Sequence, residues 1–275
     1  MPSQSESGSG ASARFENVFI HPTAEIGANV EIGPFSFIGP NCRVGDGCVL
    51  HNGVTLAGNT VLGVRNEVFP NAVLGAVPQD KKYTGEPSRL LIGDENSIRE
   101  NVTLHGGTRL GGGLTRIGNR NLLMAGSHVA HDCVLGDDVI VANGVLFGGH
   151  VVVGDRAAFG GYAAVHHFVS IGRHAFVGGL ARVTQDVPPF LLGEGNPLRV
   201  RCVNRVGLER SGLPQATLLA LRKAHRKVYR ETGVREAVLE QLIVEFPDIP
   251  EVGELVAFLR ETDKGRWGRA RQPGR

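Results

Sequence analysis

The chain has 275 residues, with 29 Lys and Arg against 27 Asp and Glu and a hydrophobic content of 41%, so it can bury one large or two modest cores. This composition excludes a wholly disordered or fibrous chain, and no apolar run reaches the roughly 18 residues that a membrane-spanning helix needs. Glycine is the outlier, because its 39 copies are about twice the average usage.

The N-terminal residues 1–14 are rich in Ser and Gly and include the acidic Glu6, which is unlike a secretory leader. We therefore expect a disordered tail over 1–14 in a soluble cytoplasmic protein without a transmembrane segment. The four cysteines form no C-x-x-C pair, so they indicate neither a disulfide framework nor a zinc finger.

An aliphatic residue or Phe then recurs at every sixth position, in runs from Ile20 to Leu74, from Ile92 to Leu104 and from Ile117 to Val183. A small or β-branched residue stands two positions before most of these 25 positions, and glycine follows 14 of them. Three of the cysteines (Cys42, Cys48 and Cys133) fall in the small-residue column, so we expect them to be buried fillers.

Alternation within each hexad is strand behaviour, and the period of six adds a corner after each short strand. Glycine at the corner is predicted to supply backbone conformations that a Cβ atom would resist. Short strands that turn at regular intervals form a parallel β-solenoid, here expected over 15–190. The pattern resembles the hexapeptide repeat of acyltransferases that fold as left-handed parallel β-helices, and the left-handedness is implied by this resemblance alone.

Two segments interrupt the period, 76–90 and 105–114, and are expected to project as loops from the corners of the solenoid. After residue 190 the pattern becomes amphipathic with helical spacing, which predicts a small α-helical domain over 191–275. Residues 192–275 carry 16 Lys and Arg against 11 Asp and Glu. This excess fits either a solvated helical face or a docking surface for an acidic partner. Nucleic acid is not expected as a partner, because aromatic residues are not interleaved with the basic ones.

Histidines cluster late in the repeat, and the coil spacing places His131, His150 and His166 along one edge of the solenoid on consecutive coils. One interpretation is a row of solvated surface histidines. A second is a zinc site, because hexapeptide carbonic anhydrases have a similar architecture and three imidazoles form a catalytic zinc set. A third is acid/base catalysis, because histidine exchanges protons near neutral pH.

Several longer motifs favour the third interpretation. Two segments resemble those of the UDP-N-acetylglucosamine O-acyltransferase family, which catalyses the first step of lipid A synthesis. They are the run from His128 to Cys133 (HVAHDC) and the loop 79–87 (QDKKYTGEP). Further matching segments are 105–108, 111–115, 148–150, 160–166, 185–189, Gly195-Asn196, Asn204, Gly207-Leu208 and Arg210. The resemblance extends from about residue 15 into the C-terminal helices.

This resemblance implies the catalytic roles. His131 would be the general base that deprotonates the 3-hydroxyl of the glucosamine as it attacks an acyl thioester. Asp132 would hold that imidazole, which requires the pair to lie at a corner, because neighbours in a straight strand point to opposite faces. The backbone N–H of Gly149 would stabilise the oxyanion.

The resemblance also implies the substrate contacts and partners. The residues expected to bind the sugar nucleotide or the acyl chain are Gln79, Asp80, Lys82, His128, His150, His166, His167, Asn204 and Arg210. The acyl donor would be an (R)-3-hydroxyacyl group on acyl carrier protein, with no metal and no other cofactor. The family is homotrimeric, with sites between subunits.

Two features depart from the family pattern. His167 replaces a common glutamine, and residues 205–211 (RVGLERS) lack one acid and one arginine of the usual IEGLKRR, so that Ser211 stands in place of an arginine. The acyl chain length stays open, although Gly179 could leave a long groove unobstructed. Alternatives are a related sugar-nucleotide N-acyltransferase, a CoA-dependent sugar acetyltransferase, a zinc carbonic anhydrase and a non-catalytic scaffold.

Overall fold

The computed structural model describes residues 17–273, so the tail predicted over 1–14 lies outside the described residues. The hexads form short strands that coil into a triangular prism with three faces. Within each face, successive strands pair in parallel, and each coil visits the first, the second and the third sheet in turn.

The strand bounds follow the hexad period closely. The first sheet contains Phe19–Ile20, Phe37–Ile38, Thr55–Leu56, Val73–Ala76, Thr103–His105, His128–Val129, Leu146–Phe147, Ala164–Val165 and Arg182–Val183. The second contains Glu25–Ile26, Arg43–Val44, Asn59–Leu62, Arg89–Ile92, Leu114–Ile117, Val134–Leu135, Val152–Val153 and Ser170–Ile171. The third contains Glu31–Ile32, Val49–Leu50, Glu67–Val68, Ser97–Ile98, Leu122–Leu123, Ile140–Val141, Ala158–Phe159, Phe176–Val177, Leu191–Glu194 and Arg199–Val203.

The core of the prism is a set of stacked columns of like side chains. Every residue of the predicted aliphatic column is buried except Ile20 and Ile26, which lie near the N-terminal end of the described chain and are only partly covered. Cys42, Cys48 and Cys133 are buried free thiols, as expected for fillers of the small-residue column. Apolar burial in this continuous column stabilises the prism and fixes which side chains face outward.

The reason for glycine at the corners differs from the prediction. Of the 14 glycines that follow the aliphatic column, only Gly75 has a positive φ, so these positions do not need a left-handed backbone. A Cβ atom on Gly33 would lie 2.7 Å from the Asn52 nitrogen of the next coil. The left-handed conformation occurs two residues later, for example at Asn29 and Phe35. Glycine is therefore required by the close stacking of coils.

We call the turn between the first and second sheets the histidine corner, because His131, His150 and His166 all lie there. Both interruptions of the repeat emerge at this same corner. One loop spans 77–88 and the other spans 106–113, which includes a 3₁₀ turn at Arg109–Gly111. The fold thus gathers the irregular segments beside the clustered histidines.

The chain leaves the prism through two strands before it becomes helical. Leu191–Glu194 extends the third sheet and pairs with Arg199–Val203, so that the helices begin at Arg205, beyond the boundary predicted at residue 191. The helices are α1 (Arg205–Arg210), α2 (Gln215–Arg230), α3 (Arg235–Glu245) and α4 (Pro250–Lys264). Among residues 17–273, no helix combines the length and the apolar character needed to cross a bilayer.

The segment after α4 returns to the prism. The backbone N–H of Asp186 donates to the Gly268 carbonyl (2.7 Å), and the Ala270 N–H donates to the Asp186 carboxylate (2.7 Å). Arg271 Nη1 donates to the His150 carbonyl at 2.6 Å. This C-terminal return segment, residues 266–272, therefore lies on the histidine corner.

Candidate active site

The most buried polar cluster at the histidine corner is built around Asp132. One carboxylate oxygen, Oδ2, lies 2.8 Å from Nδ1 of His131 and accepts a hydrogen bond from the Thr108 hydroxyl at 2.6 Å. The other oxygen, Oδ1, accepts from the Thr108 backbone N–H at 2.8 Å. Asp132 is only 5% exposed, so these bonds replace its contacts with water.

The local backbone explains how two neighbouring residues can make this contact. Asp132 has a φ of 61°, in the left-handed region that ends each straight segment of the repeat. Its backbone N–H donates to the hydroxyl of Thr115 at 2.8 Å, which secures the turn. The expected position of His131 and Asp132 at a corner is therefore confirmed. Thr108 and Thr115 were not predicted as site residues, although both lie in segments that match the family.

Two glycines make room for the cluster. A Cβ atom on Gly149 would lie 2.5 Å from Cε1 of the His131 ring, and one on Gly111 would overlap the Asp132 carboxyl group. A side chain at either position would displace the histidine or its carboxylate partner.

The Gly149 backbone N–H is a free donor next to His131. Within 17–273, no group accepts a hydrogen bond from it, although Gly149 is buried. At the corner between the second and third sheets, the equivalent N–H groups of Asn119 and Asp137 donate to aspartate oxygens of the next coil, at 2.8 and 2.9 Å. The histidine corner thus lacks a capping group that the neighbouring corner has.

The other histidines of this corner form a partly stacked row. The His150 ring packs edge-on to His131, with 5.3 Å between ring centroids, and stacks on Phe168 at 4.4 Å. His150 Nε2 is 3.6 Å from Asp132 Oδ2. His166 and His167 contact each other one coil further on, with 3.7 Å between centroids, and His167 is exposed. The predicted row is therefore present, with His131 and His150 sharing one carboxylate.

His128 lies on the first sheet, just before the corner. Its Nδ1 is 2.8 Å from the Thr103 hydroxyl, and its ring meets His105 edge-on at 5.0 Å. Burial lowers the pKa of His128 to about 4, and the neighbouring His105 acts in the same direction. Burial likewise lowers the pKa of His150, although the Asp132 charge opposes this effect. Both rings are therefore neutral at pH 7.

Asp132 is the charged member of the cluster. Burial by itself would raise the pKa of its carboxyl group, but the hydrogen bonds from His131 and Thr108 outweigh burial and hold the pKa below its ordinary value. An ionised Asp132 can only accept hydrogen bonds, so neutral His131 must carry its proton on Nδ1. The Nε2 lone pair of His131 is then available as a proton acceptor.

The first loop approaches the same corner. Asp80 is close enough for its charge to raise the pKa of His150, against the dominant effect of burial. The Asp80 carboxylate accepts the backbone N–H of Lys82 at 2.9 Å, which orders the turn, and Gln79 and Lys82 are exposed. All three predicted loop residues therefore lie in a segment that borders the histidine cluster.

Asn204 and Arg210 lie elsewhere on the same chain. Both line a cavity of about 830 Å³ over the third sheet, which is the face opposite the histidine corner. The Asn204 side chain caps α1 by accepting the Gly207 N–H at 3.2 Å, and it donates to the His174 carbonyl at 2.9 Å. One chain therefore does not bring these two predicted residues together with His131.

The donor set at the corner does not suit a catalytic zinc ion. Ligand atoms of His131, Asp132 and His150 lie within 4.8 Å of one another. However, both oxygens of Asp132 already accept hydrogen bonds from Thr108, and Oδ2 also contacts His131 Nδ1. A metal would have to displace these bonds, and the cluster offers two imidazoles where a carbonic anhydrase site uses three.

Comparison with known families agrees with this architecture. Residues 186–267 match the second domain of UDP-N-acetylglucosamine O-acyltransferase, and 114–149 match the bacterial transferase hexapeptide repeat. Residues 14–108 match a family described as the GMPPB C-terminal domain.

Individual relatives cover most of the chain. Acyl-[acyl-carrier-protein]–UDP-N-acetylglucosamine O-acyltransferases from Anaeromyxobacter and Synechocystis are 47% and 44% identical, over 76% and 78% of this chain and 82% and 78% of their own. The solved structure of LpxA from Acinetobacter baumannii has a TM-score of 0.85 at 38% identity and covers 88% of this chain and 94% of its own. The enzyme from Moraxella catarrhalis gives 0.86 at 38% identity, with the same coverage. These likenesses confirm the predicted left-handed parallel β-helix, and the chain belongs to the UDP-N-acetylglucosamine O-acyltransferase family.

Proposed function

We propose that this chain transfers an (R)-3-hydroxyacyl group from acyl carrier protein to the 3-hydroxyl of UDP-N-acetylglucosamine, the first step of lipid A biosynthesis. The observation that carries the proposal is the Thr108–Asp132–His131 chain of hydrogen bonds at the histidine corner. Because Nδ1 of His131 faces Asp132, Nε2 points away from the carboxylate, and the free N–H of Gly149 lies beside the ring. Family membership supports the choice of substrates, because the relatives carry this activity in their names.

In the reaction, His131 acts as the general base. Its Nε2 takes the proton from the 3-hydroxyl as that oxygen attacks the carbonyl carbon of the acyl thioester. Asp132 stabilises the imidazolium that forms and keeps the ring in place. When the tetrahedral intermediate collapses, the carbon–sulfur bond breaks and the leaving sulfur of the carrier protein takes up the proton from His131.

The negative charge that develops on the thioester oxygen needs a hydrogen-bond donor. The Gly149 N–H has no acceptor among the described residues and lies beside the His131 ring. A pre-positioned backbone donor of this kind stabilises an oxyanion in a site that excludes water. We assign this role to Gly149, and no step of the mechanism uses a metal or another cofactor.

The remaining contacts belong to substrate binding. His128, His150, His166 and His167 border the sugar and the acyl donor from the histidine corner, and Gln79, Asp80 and Lys82 reach them from the first loop. Asn204 and Arg210 complete the nucleotide end from a second subunit of a homotrimer, because they lie on the opposite face of the prism.

The basic side of α2 is the proposed docking surface for acyl carrier protein. Lys227 is paired with Glu245 at 2.6 Å and Arg226 lies 3.4 Å from Glu231. In contrast, no carboxylate of residues 17–273 lies within 4.0 Å of Arg222 or Lys223. These two cations are therefore available to an acidic partner.

The direct test is mass spectrometry of the product formed from UDP-N-acetylglucosamine and acyl carrier proteins of graded chain length. Wild-type protein should yield an O-acylated sugar nucleotide, whereas an N-acylated product from an amino-sugar acceptor would favour the N-acyltransferase alternative. Replacement of His131 by Ala should lower kcat by at least about a hundredfold, because it removes the base. His51→Ala, at another corner, is the matched control. Substantial turnover by His131→Ala would refute the base assignment.

A further inference from the structure

A column of charged and polar residues at the edge of the cavity over the third sheet has no part in the mechanism proposed above. Arg120, Asp138, Arg156 and His174 occupy the same position on four consecutive coils, and each has a left-handed φ between 54° and 57°. Because the backbone repeats, their side chains point in the same direction along one corner of the prism. Asp138, Arg156 and His174 line the cavity, together with Arg210 and Ser211 of the C-terminal segment.

Within this column, Asp138 is bound mainly by Arg120. Arg120 Nε donates to Asp138 Oδ1 at 2.8 Å, and Nη2 donates to Oδ2 at 3.0 Å, so both carboxylate oxygens are engaged. Arg156 Nε is 3.7 Å from Oδ2, which is a long ion pair. The Arg156 side chain is 51% exposed, so most of its five N–H donors are available to a ligand.

His174 adds a polar side chain to the wall of this cavity. The residue is 2% exposed and lines the cavity, yet its Nε2 has no hydrogen-bond partner among the described atoms. Burial lowers the pKa of His174 to about 4, so the ring is neutral at pH 7. Because this ring is neutral, the charge balance of the cavity is set by its arginines and Asp138.

The charges of the cavity select an anion. Two guanidinium groups, those of Arg156 and Arg210, line it, and its one carboxylate is already neutralised by Arg120. The walls between them are apolar and include Ile140 and Phe176. Arginine binds phosphate oxygens through paired N–H donors, so two arginines at one cavity suit a diphosphate.

We propose that Arg156 is a substrate-binding residue that contacts the diphosphate of the sugar nucleotide together with Arg210. This inference rests on the proposed function and extends it to a residue outside the segments that resemble the family. Ser211 lines the same cavity at the position where the family pattern has a second arginine. Arg156 thus supplies from the prism the cation that α1 and its C-cap lack.

The test compares nucleotide binding by the unmodified protein and its Arg156→Gln variant. Titration calorimetry with UDP should show a dissociation constant raised about tenfold or more, because a hydrogen bond to a charged group is lost. Binding of uridine, which has no phosphate, should change less than twofold. The KM for UDP-N-acetylglucosamine should rise in parallel, with kcat largely kept. Arg65→Gln is the matched control, because Arg65 has the same corner position, pairs with Glu95 and lies outside the cavity.

A rescue experiment makes the assignment specific. Adding Ser211→Arg to Arg156→Gln should restore UDP affinity, because it returns a second guanidinium to the same cavity. Unchanged UDP affinity in Arg156→Gln, or an equal loss for UDP and uridine, would overturn the inference. If the wild-type enzyme is active, either of these two results would leave the proposed function intact. Failure of wild-type protein to acylate UDP-N-acetylglucosamine would instead refute the function itself.

Discussion

At the scale of single residues, the chemistry of His131 depends on what surrounds Asp132. The carboxylate is held by two bonds from one residue, the Thr108 N–H and hydroxyl, and this fixed carboxylate in turn fixes the His131 ring. The side-chain and N–H hydrogen bonds of Thr108 go to Asp132 and Gly111 and not to His131. It acts as a positioning residue, and its contribution should be visible in turnover rather than in substrate affinity.

We expect Thr108→Val to lower kcat by about tenfold, because a charge-assisted hydrogen bond to Asp132 is lost. The KM for the sugar nucleotide should stay close to that of the wild type. Loss of this donor also raises the pKa of Asp132, so the carboxyl resonance of Asp132 should titrate at higher pH in an NMR titration. Thr55→Val, on the same sheet but remote from the corner, is the control. An unchanged kcat together with an unchanged Asp132 titration would exclude the positioning role.

His128 should make the stability of the protein depend on pH. Its folded pKa of about 4 lies below the ordinary value of 6.5, so the unfolded chain binds a proton first as pH falls. The free energy of unfolding should therefore decrease from about pH 6.5 toward pH 4, by up to about 3 kcal/mol for this residue. His128→Leu should reduce that decrease, because the variant has no group at this position that titrates. Leucine suits the position, since the paired residue in the next coil is Leu146. Urea titrations at pH 7 and pH 4.5 measure the decrease in the free energy of unfolding. Identical decreases in the wild type and the His128→Leu variant would contradict the prediction.

At the scale of elements, the hexad period was sufficient to predict the prism, its buried columns and the corner that carries His131. These features depend on local alternation, which is repeated many times along the chain. Other features depend on contacts without a period. The hydrogen bond between Arg271 and His150 joins residues 121 positions apart, and no pattern in the sequence indicates it. The role of Thr108 likewise depends on how the 106–113 loop folds back over the corner.

The C-terminal return segment should stabilise the last coil. Asp186 is 7% exposed, and its carboxylate accepts N–H groups from Ala270 and Ser170, both at 2.7 Å. Deletion of 266–275 removes one of these donors and uncovers the carboxylate. We expect the free energy of unfolding to fall by about 1–3 kcal/mol, as measured by denaturant titration.

Arg271→Gln separates the two contacts of this segment, because it removes only the bond to the His150 carbonyl. It should leave most of the stability in place. If the deletion and the wild type unfold alike, the segment does not support Asp186.

At the scale of the whole molecule, the residues of the proposed site are divided between two sides of the prism. The histidine corner carries the proposed base and oxyanion donor, and the cavity over the third sheet carries the proposed diphosphate contacts. Because a rigid solenoid cannot bring a corner to its opposite face, a site that uses both sets of residues, as we propose, needs two copies of the chain. A cyclic trimer repeats one such contact three times and closes the ring.

Mixed oligomers test this arrangement. His131→Ala and Arg210→Ala chains should each be nearly inactive alone, because each lacks one half of every site. Co-refolded at equal amounts, they should regain about a quarter of wild-type activity, since random mixing pairs two intact halves at that frequency. Native mass spectrometry should show trimers for all samples. Absence of recovery in verified mixed trimers would place both halves of a site on the same chain.

The docking of residues 266–272 on the histidine corner has a practical consequence for labelling. Arg271 contacts the His150 carbonyl, and Gln272 is the next residue along the chain. A fluorophore attached at Gln272 would lie near the proposed substrate site, so its emission should change when the substrates bind.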